Sequence, residues 1–168
     1  MADGRFYHAS NIKDLNVLMP ISQLHGSDDK VCYLTTVRAY ALFYLRDMEL
    51  DFVTCGMSGD GIVIYDEKFQ GQLEALYRGR SGYLYVCENN GQIEMKRKGI
   101  WASSSSVTVL NAEYIEDVYD AILEAERNGE AVIIRYESLS DEKKLENAEI
   151  MKDVRNRNPR AWGALGLR

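Results

Sequence analysis

The order in which strand and helix patterns follow one another is the feature that most constrains the fold of this chain. Several short runs of strand-forming residues alternate irregularly with a few amphipathic helical patterns. A doubly wound parallel sheet needs strands and helices in regular alternation. The pattern therefore predicts an α+β fold. The length of 168 residues fits one domain, and we expect a single α+β domain over 1–158 with a C-terminal tail over 159–168.

The predicted strands are rich in β-branched and aromatic residues and lie at 5–10, 31–35, 51–57, 61–65, 82–88, 92–96, 100–110 and 131–136. Two pairs of these strands flank turn signals. Asp60-Gly61 lies between the third and fourth strands, and Asn89-Asn90-Gly91 lies between the fifth and sixth. Because such dipeptides favour tight turns, each pair is predicted to form a β-hairpin.

Helical patterns are predicted as a short turn after Asn11, from Val37 to about Asp47, from about Glu67 to Arg78, from an Asn111 cap to Gly129, and from Ser140 to about Asn156. Thr36 is the expected cap of the second pattern. The last helix has an apolar side consisting of Leu145, Ala148, Met151 and Val154. The segment from Pro159 is expected to be a frayed tail in which Trp162 can dock.

The net charge of −6 is unevenly distributed. The segment 113–130 contains seven acidic residues and one basic residue, whereas 138–168 contains seven basic and five acidic residues. The chain as a whole has no basic surface pattern of the kind that binds duplex nucleic acid. It also lacks an apolar run of membrane-spanning length and an N-terminal signal pattern. We therefore expect a cytoplasmic protein that binds neither membranes nor duplex nucleic acid.

The three cysteines and two histidines do not form a metal or disulfide pattern. Cys32, Cys55 and Cys87 are widely spaced and odd in number, which is a poor disulfide framework. His8 and His25 have no ligand spacing that would hold a metal, so no metal site is predicted. Each cysteine is interpreted as a small buried apolar residue. The common nucleotide, hydrolase and metalloprotease motifs are also absent.

Eleven tyrosines and one histidine at the end of the first strand are the remaining chemical signal. His8 precedes Ala9-Ser10, Tyr33 lies within a strand, and Tyr40 and Tyr44 are four residues apart on one predicted helix face. Flat aromatic faces beside a histidine can hold a planar ring. The alternative interpretation is that these tyrosines belong to the core and keep their hydroxyl groups at its rim.

These segments, in this order, resemble the opening of the ADP-ribosyltransferase superfamily. The matching stretches are Phe6–Ser10, Val31–Thr36 and Ala39–Tyr44. The resemblance is to the diphtheria-toxin-like branch, which includes poly-ADP-ribose polymerases, rifampin ADP-ribosyltransferase and RNA 2′-phosphotransferase. It implies a split, mixed or antiparallel β-sheet core with flanking helices that grips NAD. The match covers about a quarter of the chain, and Tyr83–Trp101 resembles the rifampin-modifying enzymes more weakly.

The resemblance also implies a role for each matching position. His8 would hydrogen-bond the ribose next to nicotinamide, Ser10 would assist at that ribose or at the carboxamide, and the backbone of Ala9 would contact the nicotinamide amide. The family more often has glycine at the position of Ala9. Tyr33 would line the nicotinamide pocket, and Tyr44, or Tyr40 in its place, would stack on the ring.

The chemistry of this family also needs a carboxylate, because the bond between nicotinamide and ribose breaks through an oxocarbenium-like state. Glu94 is the first candidate, since it follows the Asn-Gly turn in the weaker match, and Glu88 is the second. The alternative for Glu94 is an exposed hairpin residue without a catalytic role. His25-Gly26-Ser27 spells a similar tripeptide in a polar loop and is interpreted as a coincidence.

Two functions follow from these patterns. The first is an NAD-binding, ADP-ribosyltransferase-like protein that uses NAD as its substrate, with an acceptor that the sequence does not identify. The second is a non-catalytic α+β interaction module that meets a partner through the acidic helix 113–130 or the charged helix 140–156. A homodimer is expected in either case, because edge strands favour association and most oligomers are two-fold dimers.

Overall fold

The computed structural model describes residues 5–46 and 55–164. Their strands are β1 (Phe6–Ser10), β2 (Val17–Leu18), β3 (Ser22–Gln23), β4 (Lys30–Leu34), β5 (Cys55–Met57), β6 (Val63–Asp66), β7 (Gly82–Cys87), β8 (Ile93–Arg97), β9 (Ile100–Ser103), β10 (Val107–Ile115) and β11 (Ala131–Ile134). Their helices are α1 (Arg38–Leu42), α2 (Gln72–Tyr77), α3 (Val118–Arg127), α4 (Asp141–Arg157) and α5 (Pro159–Ala164). The mixture of helices with mainly antiparallel sheets confirms the predicted α+β class.

The chain divides into two compact units, each made of two separate stretches. The first unit contains Met1–Leu45 and Ser81–Glu116, and the second contains Arg46–Arg80 and Asp117–Arg168. The domain boundary expected near residue 158 stays a prediction.

The first unit contains two antiparallel four-stranded sheets, with strand orders β1-β7-β10-β2 and β3-β4-β9-β8. Both sheets contribute apolar side chains to one core. Its buried members are Phe6, Leu18, Cys32, Leu34, Tyr85, Cys87 and Val107. Burying a large apolar side chain of this kind contributes roughly 1.5–3 kcal/mol. The core therefore holds the strands that carry the candidate site.

The second unit contains the sheet β11-β6-β5, in which β11 runs parallel and β5 antiparallel to β6. The buried Glu67 carboxylate accepts backbone hydrogen bonds from Leu73 and Tyr136, each at 3.1 Å. These bonds tie the start of α2 to the segment that follows β11. Within the segment expected to be a tail, residues 159–164 form α5, and the Trp162 ring packs 5.5 Å from the Phe69 ring.

The predicted hairpin of 82–88 with 92–96 is wrong. Strand β7 pairs with β1 and β10, whereas β8 pairs with β9 in the other sheet. The Asn90 side chain holds the segment after β7 against the segment that joins β9 to β10. Its Nδ2 donates to Ser103 Oγ at 3.2 Å and to the Ser106 carbonyl at 3.0 Å. The turn signal therefore marks a change of sheet instead of a hairpin.

The acidic helix is shorter than predicted, and its cap is different. Asn111 lies within β10, which extends to Ile115, and α3 begins only at Val118. The side chain of Asp117 caps α3 by accepting from the Asp120 backbone N–H at 3.1 Å. Glu113 and Glu116 therefore do not lie on this helix.

Other helices also begin or end differently from the prediction. Residues 11–16 form bends instead of a helical turn, and α1 and α2 each cover only part of the predicted range. Thr35, not Thr36, accepts the hydrogen bond from the Val37 backbone N–H, at 3.2 Å. The predicted helix end at Asp47 and the strand residues 51–54 lie outside the described residues.

Helix α4 agrees with the prediction in extent but not in its buried side. Its cap is Ser140, whose side chain accepts from the Lys143 backbone N–H at 3.2 Å. Met151 and Val154 are buried as expected, but Leu145 is 71% exposed and the buried polar residue Asn147 lies on the inner side. The buried face of α4 therefore differs from the predicted one and consists of Asn147, Met151 and Val154.

Candidate functional site

The two sheets of the first unit are joined where β1 passes the end of β4. Tyr7 donates its N–H to the Thr35 carbonyl at 2.7 Å, and Thr35 donates to the Tyr7 carbonyl at 3.0 Å. No further β-bridge between β1 and β4 is present among the described residues. We call Tyr7, His8, Tyr33 and Thr35 the junction, because the two sheets separate on either side of these residues.

His8 lies at the junction and contacts the neighbouring strand through its ring. Its Nδ1 atom lies 2.9 Å from the backbone carbonyl oxygen of Tyr33. Because a carbonyl oxygen only accepts, Nδ1 carries the proton in this contact, and Nε2 of a neutral ring is left as an acceptor. Burial lowers the pKa of His8 below 6.5, and the hydrogen bond to Tyr33 opposes this effect. The ring is therefore neutral at pH 7.

The Tyr33 side chain holds the loop that precedes β4. Its hydroxyl donates to the Gln23 carbonyl at 3.2 Å and accepts from the His25 N–H at 3.1 Å. His25 belongs to the tripeptide interpreted as a coincidence, so this loop lies close to the candidate site. Tyr33 consequently contributes its backbone carbonyl to the junction, while its hydroxyl fixes the loop.

Glu94 lies on the same sheet face as Tyr33. Ala102 on β9 is the direct cross-strand partner of Tyr33 on one side and of Glu94 on the other. Residues that pair directly across antiparallel strands point to the same face. The Cα atoms of Tyr33 and Glu94 are therefore about 10 Å apart, which is twice the spacing between strands.

A groove of about 470 Å³ runs along this face, and Val31, Ala102, Glu94 and Lys96 are among the residues that line it. Lys96 Nζ lies 2.8 Å from Glu94 Oε2. The hydrogen bond from Lys96, with its positive charge, lowers the pKa of Glu94 below 4.5. Glu94, whose side chain is 73% exposed on the hairpin of β8 and β9, is therefore ionised at neutral pH.

Ala9 and Ser10 continue β1 beyond His8. Ser10 Oγ accepts from the Ile12 N–H at 3.1 Å, which fixes the turn that follows the strand. Ala9 pairs with Leu84, so it points to the opposite face of the sheet from His8, which pairs with Tyr85.

Tyr40 and Tyr44 lie on the segment 38–44, which packs on the sheet face to which the Ala9 side chain points. Helix α1 packs against β1 and β7, and Arg38 forms an ion pair with Glu113, which shares a sheet face with Leu84. The Tyr40 ring is buried, and its centroid lies 5.9 Å from that of Tyr44. The structure thus brings His8 to the backbone of Tyr33 at the junction and places Glu94 in a groove that neither His8 nor Tyr33 lines. It places Tyr40 and Tyr44 in a separate aromatic cluster.

Lys96 is the site residue that the sequence analysis missed. Its position two residues after Glu94 on a strand was the available signal, because residues i and i+2 of a strand lie on one face. Glu88, the second candidate for the acid, follows β7 and donates its N–H to the Thr108 carbonyl at 2.9 Å. It is not among the residues that line the groove.

Two comparisons of the sequence with known proteins found no match. No protein-family model matches the chain, and no curated protein is significantly similar to it. Within residues 5–46 and 55–164, none of the helices has both the length and the hydropathy that a bilayer crossing requires. The function must therefore be inferred from the site itself and from the resemblance noted in the sequence.

Proposed function

We propose that this chain binds NAD at the junction and transfers ADP-ribose from it to an acceptor. The resemblance of Phe6–Ser10, Val31–Thr36 and Ala39–Tyr44 to ADP-ribosyltransferases implies a split sheet around NAD. Two sheets joined at one bridge, with His8 beside that bridge, support this proposal. NAD is then the substrate, and no further cofactor is required.

The contact between His8 and the Tyr33 carbonyl is the observation that carries the proposal. It holds the imidazole in one orientation with Nδ1 as donor. Nε2 of the neutral ring is then available to accept a hydrogen bond from a ribose hydroxyl. An oriented acceptor of this kind stabilises bound NAD without an entropic penalty for ordering the ring.

Glu94 is the group that we assign to the chemical step. The C–N bond between ribose and nicotinamide breaks, nicotinamide leaves with the electron pair, and positive charge develops on the ribose. The ionised Glu94 carboxylate stabilises this charge by holding a ribose hydroxyl. A nucleophilic acceptor or water then bonds to the ribose carbon and releases its proton to solvent. Ala9 and Ser10 keep the roles that the resemblance implies for them. Stacking of Tyr44 or Tyr40 on the nicotinamide ring stays a prediction of the resemblance, because these two rings lie in a separate aromatic cluster.

The kinetic test replaces Glu94 by Gln, which keeps the size and hydrogen-bonding capacity of the side chain and removes its charge. We expect NAD to bind about as well, while the rate of NAD hydrolysis or transfer falls by roughly 10²–10³-fold. Glu88→Gln is the matched control and should leave the rate unchanged. His8→Ala should weaken NAD binding itself, because it removes a contact made in the ground state.

Three outcomes separate the possibilities. An active wild type whose rate is unaffected by Glu94→Gln excludes Glu94 as the acid, and a loss on Glu88→Gln transfers the role to Glu88. A wild type with neither turnover nor NAD binding excludes the enzyme. The interaction module then becomes the better account, with α4 as its surface, since Leu145 is 71% and Ile150 46% exposed on that helix.

A further inference from the structure

A small cavity in the first unit lies on the face of β7 and β10 that carries Tyr83 and Tyr85. It encloses about 220 Å³ between these strands and the segment 14–16. Pockets for drug-sized ligands have volumes of about 300–1,000 Å³. This cavity therefore has the size for a ligand of one ring.

The wall of the cavity is fixed by hydrogen bonds. The Tyr85 hydroxyl donates to the Ile12 carbonyl at 2.6 Å and accepts from the Leu15 N–H at 3.4 Å. The Val109 N–H donates to the Asn16 carbonyl at 2.9 Å. Asp14, which lines the cavity, has a φ of 59°, a conformation that Asp and Asn tolerate better than most residues. The cavity is therefore formed before any ligand arrives.

The lining brings two polar side chains to the ring of Tyr83. Asp14 and Asn16 contribute a carboxylate and a carboxamide, and both residues are exposed at the rim. Asn111 also lines the cavity, but it pairs with Val86, so its side chain points to the other face of the sheet. The Tyr83 ring is half-buried and lies 6.0 Å from the fully buried Tyr85 ring in a stacked arrangement, so Tyr83 is the ring that a ligand can contact.

The charge of the lining selects among ligands of one ring. In the part of the chain that the structure describes, no lysine or arginine lines the cavity. Lys13 Nζ lies 3.9 Å from Asp14 Oδ2 outside the lining, and because both side chains are largely exposed, Lys13 offsets the charge of the Asp14 carboxylate only weakly. A phosphate would be repelled by Asp14 and would find no cation within this lining. Neutral vicinal hydroxyl groups match a carboxylate and a carboxamide, and the C–H face of a pyranose ring packs on a tyrosine such as Tyr83.

From this combination we propose that the cavity between Tyr83, Tyr85 and the segment 14–16 binds a neutral pyranose sugar. Neither His8 nor Glu94 lines this cavity, so the proposal does not rest on the proposed NAD chemistry.

The test is saturation-transfer NMR of the full chain with four sugars, each at about 20 mM. The sugars are methyl α-D-glucopyranoside, methyl α-D-mannopyranoside, methyl β-D-galactopyranoside and N-acetylglucosamine, and adenosine and AMP serve as comparison probes. We expect at least one sugar to receive saturation and to shift the ring signals of Tyr83, with a dissociation constant in the millimolar range.

Two variants locate the binding. Asp14→Asn keeps a residue that tolerates the observed φ and should weaken sugar binding about tenfold or more. Asn16→Ala keeps the backbone carbonyl that Val109 uses and should also weaken binding. Asp28→Asn, an exposed acid of the same unit outside the cavity, should have no effect. The proposal is overturned if no sugar shifts Tyr83, if adenosine or AMP shifts it more strongly, or if both cavity variants bind like wild type.

Discussion

The Nδ1 atom of His8 lies 2.9 Å from the backbone carbonyl oxygen of Tyr33, so a side chain of one sheet is hydrogen-bonded to the backbone of the other. This contact adjoins the bridge between Tyr7 and Thr35. It fixes which ring nitrogen carries the proton, and burial keeps the ring neutral. The chemistry assigned to the junction depends on this one relationship.

The first prediction concerns the pH dependence of His8. Because burial lowers its pKa in the folded protein below 6.5, the unfolded state binds more protons as the pH falls below this value. The free energy of unfolding should therefore decrease as the pH falls from about 7 to about 5, and less steeply in His8→Gln. An NMR titration should give His8 a midpoint below 6.5, and a midpoint at or above that value would contradict the assigned environment.

The second prediction concerns the close packing of Gly82 against Leu45, which lies three residues after the end of α1. A Cβ atom on Gly82 would lie 2.6 Å from Leu45 Cδ2 and 3.2 Å from the Ser10 carbonyl oxygen. Gly82→Ala should therefore lower the free energy of unfolding by about 1–3 kcal/mol, measured by urea denaturation. Gly56→Ala is the control, since its Cβ would meet no atom of the described residues within 4 Å. Equal free energies of unfolding for the two variants would contradict the close packing of Gly82 against Leu45.

The third prediction concerns Asn147, whose side chain is fully buried on α4. Among residues 5–46 and 55–164, neither its Oδ1 nor its Nδ2 has a hydrogen-bond partner. An unpaired buried amide is destabilising by about 1–3 kcal/mol, so Asn147→Leu should raise the free energy of unfolding by about 1 kcal/mol or more. The exposed Asn156→Leu should change it by less than about 0.5 kcal/mol. A loss of stability in Asn147→Leu would show that the amide is needed where it lies.

The fourth prediction is the homodimer. Strand β8 is an edge of its sheet, and four of its five residues are exposed. Light scattering should therefore give twice the chain mass of 19.1 kDa at working concentration. A mass of 19.1 kDa in solution would exclude the dimer.

Local sequence patterns predicted the elements that depend on few neighbours. The strand Phe6–Ser10, the strand Lys30–Leu34 and the long helix Asp141–Arg157 lie close to their predicted positions. Each has a strong local signal, such as the strand-forming run around Tyr33 or the Ser140 cap. The candidate residues His8 and Tyr33 lie on two of these elements, and their roles in the site stay predictions.

The errors arise where tertiary pairing decides the structure. Asn111 is a good cap by type, but β10 gains backbone pairing with β7 as far as Ile115, and Asp117 caps the helix instead. Asn89-Asn90-Gly91 is a good hairpin signal, but β7 is already flanked by two other strands. The spacing of Glu94 and Lys96 predicts that they share one strand face, but only the pairing of β8 with β9 shows that this face lines a groove.

The central claim is that the junction binds NAD, and a thermal-shift titration of the wild-type protein with NAD and with nicotinamide tests it most directly. We predict a saturable rise in the unfolding midpoint with NAD, equivalent to about 2.7 kcal/mol at a hundredfold excess over the dissociation constant. His8→Ala should abolish most of this rise, and His25→Ala should retain it. A wild type with no shift for either ligand, or a His8→Ala variant that responds like wild type, would contradict the account.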